Sequence, residues 1–102
     1  MIAGERTTAY INSLDMGNTE LLNQIEKEAL ETYVPIIRRE TQSFLKTLLA
    51  AQKPKVILEV GTAIGFSALL MAEYSPSDTR ITTIEKYEKR IPIAKENFRR
   101  AG

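Results

Sequence analysis

No cysteine occurs among the 102 residues, which removes disulfides, thiolate metal sites and cysteine nucleophiles and fits a reducing compartment. Histidine is absent as well. Without the commonest general base and metal ligand, any acid–base or metal chemistry on this chain falls to Asp, Glu, Lys or Tyr. No apolar run approaches the roughly 18 residues of a membrane helix. The N-terminal "MIAGERTTAY" holds a charge pair where a signal peptide would hold its apolar run, so a soluble, cytoplasmic protein without membrane contact is expected. A charge excess of one sign is missing too. The 14 basic and 13 acidic residues leave a net charge of +1, with no global field to draw nucleic acid or an acidic surface. What the chain does have is enough length and apolar content, 43% hydrophobic, for one domain with a modest core.

Hydrophobic spacing predicts three helices before the first strand. A short one runs from Glu5 to Leu14, with Ile11 and Leu14 three apart and a glycine stop in "DMGN", Asp15 to Asn18. The next is capped by Asn18 or Thr19 and places Leu21, Leu22, Ile25, Ala29 and Leu30 on one face. Pro35 in "YVPII" keeps its predecessor out of the α region, so Tyr33 to Ile37 should be an extended break. A third helix resumes near Glu40, with Phe44, Leu45, Leu48 and Leu49 as its buried stripe, and ends near "QKPK". After Pro54 the period changes. "KVILEV" has the near-continuous apolar order of a strand buried on both faces of a parallel sheet, interrupted only by Glu59. "GFSALLMAEY" reads as a helix and "RITTIEK" as a second strand. A last helix from Tyr87 to Arg100 sets Ile91, Ala94 and Phe98 inward and leaves Lys89, Lys95 and Arg99 solvated. The six cations between Lys86 and Arg100 read as a solvated helix face, with RNA contact as the lesser alternative.

The chemistry concentrates at "EVGTAIG". Gly61 permits a tight turn or a positive φ, and Gly65 removes a side chain where a ligand or the preceding strand must come close. Backbone N–H groups opening the following helix suit a carboxylate or phosphate, and Ser67 adds a hydroxyl donor. Glu85 ends the second strand 20 residues after Gly65, the spacing at which an acidic side chain accepts from ribose hydroxyls in two-strand nucleotide-binding units. A nucleoside ligand with an anionic end is the combined reading. Glu59, inside an apolar strand, would cost several kcal/mol unless hydrogen-bonded, so pairing with backbone donors of the glycine turn is expected. The spacing is G-x-x-x-G, not G-x-G-x-x-G. The missing middle glycine sets an NAD(P)-binding unit second, and a non-catalytic helical interaction module is the remaining alternative.

"VPIIRRETQSFLKTLL", "ILEVGTAIGFSALLMA" and "ITTIEKYEKRIPIAKENF" together closely resemble the S-adenosylmethionine-dependent O-methyltransferases related to catechol O-methyltransferase. Among these, the bacterial tRNA 5-hydroxyuridine methyltransferases look nearest. The resemblance implies that Glu59, Gly61 and Gly65 shape the turn around the methionine part of S-adenosylmethionine (SAM). Ser67 would bond its carboxylate, Glu85 would hold the ribose hydroxyls, and Ile37 would line the site from the N-terminal side. It also implies a seven-stranded doubly wound sheet and methyl transfer to a hydroxyl held by a divalent cation, usually Mg2+. The acceptor would be tRNA or a small hydroxylated aromatic. Residues 1–53 are then an N-terminal helical segment, and 54–102 the first βαβα of a Rossmann-like α/β domain. The metal ligands of the family follow the fourth strand, beyond "FRRAG". Two parallel strands leave apolar edges and faces without neighbours. The chain is therefore expected to be the cofactor-binding part of a larger enzyme, inactive alone, and to form a homo-oligomer by strand pairing or swapping.

Overall fold

The computed structural model describes residues 4–13 and 17–102. Its elements run α1 (Glu5–Ser13), α2 (Glu20–Glu31), α3 (Arg39–Gln52), β1 (Val56–Val60), α4 (Phe66–Glu73), β2 (Arg80–Ile84) and α5 (Ile91–Ala101). That is the predicted order of three helices followed by βαβα. The expected contact of Ile11 and Leu14, and the stop at Asp15 and Met16, lie outside the described residues.

Each boundary has a local cause. Thr19 caps α2, its hydroxyl accepting from the Leu22 N–H at 3.3 Å, as a β-region N-cap should. The break between α2 and α3 begins with a left-handed turn at Tyr33, φ 58°, in place of the extended backbone expected there, and Pro35 follows in the non-helical segment, where its missing N–H breaks no helical bond. Lys53 closes α3 in the left-handed region with its N–H on the Leu49 carbonyl, and Pro54 then prevents continuation. The two strands pair in parallel, with Glu59 opposite Thr83 and Val60 opposite Ile84.

The core gathers Leu22, Ile25 and Ala29 from α2 with Ile64, Phe66 and Leu70 from the turn and α4. Four expectations change here. Leu30 is 70% exposed, because the inward face of α2 follows 22, 25 and 29. Phe44 and Leu48 are also exposed. The inward face of α3 instead carries Leu49 and the fully buried Gln42. The cause is polar: Gln42 donates to Glu26 Oε2 at 3.1 Å and to the Ile37 carbonyl at 3.0 Å, and accepts from Asn18 at 3.0 Å. Nor is β1 buried on both faces. Val56, Leu58 and Val60 are exposed while Ile57 and Glu59 are half-buried, since the helices of these residues cover only one side of the sheet. Finally, α5 starts at Ile91, four residues later than predicted, with Pro92 in its first turn, a position where no N–H is needed. Lys89, Lys95 and Arg99 are exposed, as expected.

Candidate functional site

β1 reaches the glycine turn already attached to β2. The N–H groups of Gly61 and Thr62 both donate to the Ile84 carbonyl, at 2.7 and 3.1 Å. Three residues of the turn then take positive φ: Gly61 at 96°, Ala63 at 50° and Gly65 at 93°. Such angles are free for glycine and strained for Ala63. The Gly65 N–H returns to the Thr62 carbonyl at 2.9 Å, and α4 follows at once.

The two glycines are required for different reasons. A Cβ at Gly61 would meet nothing within 4 Å, whereas one at Gly65 would stand 2.8 Å from Cε1 of Phe98. The close protein contact at Gly65 is therefore made by a ring of α5 and not by the preceding strand. The open side of the turn lies at Gly61.

Glu59 differs from expectation as well. Its Oε1 accepts from the Thr83 hydroxyl at 2.7 Å, and the Thr83 and Thr62 hydroxyls lie 2.6 Å apart. A hydroxyl relay satisfies the carboxylate in place of the turn's backbone donors. The parallel register, which sets Thr83 directly opposite Glu59, is the reason. Glu85, by contrast, does reach the turn. Its Oε1 accepts from the Ala63 N–H at 2.6 Å and its Oε2 from the Tyr87 N–H at 2.8 Å. These backbone bonds, Tyr87's foremost and then Ala63's, with Arg90 adding a positive charge, hold the Glu85 carboxyl below its ordinary range.

Glu59, Gly61 and Glu85 are thus joined through hydrogen bonds of the turn and strand ends, and Gly65 and half-buried Ser67 continue the same stretch into α4. Ile37 packs against the core cluster that includes Ile64 of the turn. It lines a separate groove of about 390 Å³ with Leu30, Arg38 and Arg39, while Glu85 borders a hollow of about 240 Å³ with Thr62, Thr83 and Phe98. A third hollow, about 500 Å³, lies between Tyr33 and Val34 on one side and Ile64, Tyr87 and Arg90 on the other. Sequence reasoning passed over Thr83 and Asn97. Aligning the two strands would have set Thr83 beside Glu59, and Asn97 is a polar residue on the 94, 98 stripe, three positions after Ala94.

Among the described residues, no group of three or more His, Cys, Asp or Glu gathers closely enough to hold a metal ion, and no helix is long and apolar enough to cross a membrane. The family model described as O-methyltransferase matches residues 11–102. A catechol O-methyltransferase of Mycobacterium tuberculosis is 36% identical over 96 residues, covering 92% of this chain and 44% of that protein. A methyltransferase of Podospora anserina solved with SAH bound superposes with a TM-score of 0.83 at 27% identity, over 100% of this chain and 47% of its own. The O-methyltransferase TomG of Streptomyces achromogenes, solved with SAM, gives 0.78 at 27% identity over 100% and 48%. The chain spans less than half the length of each. These neighbours share the Rossmann-like arrangement expected from the βαβα order, and the family match extends from the end of α1 through α5; the chain belongs to the O-methyltransferase family.

Proposed function

We propose that this chain carries the SAM-binding turn of an O-methyltransferase. The observation that supports it most is the bridge from Glu85 to the Ala63 N–H at 2.6 Å, which sets an ionised carboxylate against the rim of a glycine turn. The fit to the cofactor is favourable on two counts. The space beside Gly61 is open, and the first N–H groups of α4 suit a carboxylate. Gly61 and Gly65 would shape the turn, Ser67 would donate to the methionine carboxylate, and Glu85 would accept from the ribose diol. Glu59 would act behind them, through Thr83. Ile37 would line the site only from its separate groove. Bound SAM would supply an electrophilic methyl group; the residues of this chain bind and orient.

In the whole protein the methyl group would pass to a hydroxyl, of tRNA 5-hydroxyuridine or of a catechol-like molecule, with Mg2+ holding that oxygen. No cluster among the described residues fits the metal, so no step through it is assigned to this chain. The helices of 1–53 would wall the cofactor half formed by 54–102. The 102-residue chain alone would bind without transferring, and would self-associate through its uncovered strands. Titration calorimetry of the chain with SAM, SAH and NADH tests the reading. Binding of SAM and SAH without NADH is expected; NADH binding alone, or methyl transfer by the isolated chain at a normal rate, would refute it.

A further inference from the structure

The peptide unit joining Ile64 to Gly65 is pinned from both sides. Its N–H donates to the Thr62 carbonyl at 2.9 Å, and its C=O accepts from Nδ2 of Asn97 at 2.7 Å. Asn97 is only 2% exposed, and its amide is not free to turn over. Arg100 Nη1 donates to Oδ1 at 2.9 Å. A guanidinium has donors only, so the amide oxygen must face Arg100 and the NH2 must face Ile64. Arg100 is itself held on α2, by Glu28 Oε2 at 3.1 Å and Gln24 Oε1 at 3.0 Å. At the next position, the Phe98 ring rests against Gly65, 2.8 Å from where a Cβ would stand. α5 therefore grips the corner of the turn with a hydrogen bond and a ring at adjacent positions.

Immediately beyond that corner come the N–H groups of Phe66 and Ser67, which open α4 without helical partners. Their aim depends on the plane of the Ile64–Gly65 peptide. We infer that Asn97 is a positioning residue for these N–H groups: its NH2 holds the plane, Arg100 fixes which way the amide faces, and the contact to Glu28 and Gln24 registers the turn against α2. The inference rests on the cofactor reading above for its consequence, since these are the N–H groups that would face the ligand's carboxylate. Without the Asn97 donor the corner is left with its inner bond to Thr62, which opens more often as the peptide gains freedom to rotate on the α5 side.

The test compares the wild-type chain with Asn97→Asp and Asn97→Leu by SAH calorimetry and by residue-resolved amide hydrogen exchange. Asn97→Asp keeps size and a partner for Arg100 and puts an acceptor where Ile64 needs a donor. Both variants should weaken SAH binding by about tenfold or more. Exchange should quicken at Gly65 and Leu69, whose N–H groups are bonded within the corner, while α2 amides keep their wild-type protection. Wild-type affinity in Asn97→Asp overturns the inference, because the donor is then unused. Uniformly faster exchange, or unfolding of both variants, overturns it too, because Asn97 then only holds the fold. If the wild-type chain binds no SAH, the cofactor reading fails, and the exchange comparison still decides whether the corner is clamped.

Discussion

Gly65→Ala should destabilise the chain more than Gly61→Ala, although the two glycines share nearly the same φ, 93° and 96°. Backbone strain is common to both, about 1–2 kcal/mol for an L-residue in this region. The surroundings differ. At Gly61 the new methyl group enters open space, so strain is the whole cost. At Gly65 it lands 2.8 Å from Phe98 Cε1 and 3.2 Å from Cζ, and the half-buried ring must move out from between α5 and the turn. Overpacking of that kind costs about 1–3 kcal/mol. The sums are about 1–2 kcal/mol for Gly61→Ala and about 2–5 kcal/mol for Gly65→Ala. Urea unfolding followed by helical circular dichroism measures both. A double-mutant cycle with Phe98→Ala isolates the ring, and the coupling should return about 1–3 kcal/mol. Equal losses at the two glycines, or a coupling near zero, would refute the assignment of Gly65 to ring packing. Ligand binding should invert the order: Gly61→Ala fills the open side and should abolish SAH binding while costing less stability.

Glu85→Gln should change the acid limb of stability. The wild-type carboxyl is held below its ordinary 4.5 by the N–H groups of Tyr87 and Ala63. A depressed folded pKa contributes stability above the unfolded value that disappears as pH falls through the folded one. Wild type should therefore lose stability more steeply than the variant below pH 4.5; parallel denaturation curves at pH 3 to 7 would contradict the two backbone bonds. Thr83→Val removes the hydroxyl between Glu59 and Thr62 and should cost about 1–3 kcal/mol, whereas Thr83→Ser should keep most of it. Urea midpoints of the two variants are the measure, and equal losses would show that the hydroxyl relay is unimportant.

The element order was legible because it rests on local signals: Thr19 before an apolar stripe, Pro35 and Pro54 as breaks, and two short β-rich runs, the first ending at Gly61. Side-chain burial was less legible where a polar residue won an inward position. Gln42 displaced Phe44 and Leu48 from the inner face of α3 because its three hydrogen bonds outweigh what periodicity alone anticipates. The turn itself was readable from Gly61, Gly65 and the spacing to Glu85. Its anchors were not. That Glu59 meets Thr83 depends on strand register, and that Gly65 meets Phe98 depends on how α5 docks, neither of which a single segment encodes. Ala63 at φ 50° was hidden for a further reason: nothing in an alanine announces a left-handed backbone.

The anchors of the turn have a consequence for the order in which the site comes into being. The bonds that shape it span 22 residues from Ala63 to Glu85, 24 from Glu59 to Thr83 and 33 from Ile64 to Asn97. The turn is thus a local motif in sequence but a long-range one in assembly, and loop closure must precede each contact. On a ribosome, "VGTAIG" emerges well before Thr83, Glu85 and Asn97. The stretch that most plainly declares the family takes its working shape only after the chain has been synthesised through Arg100 and α5 has closed over it.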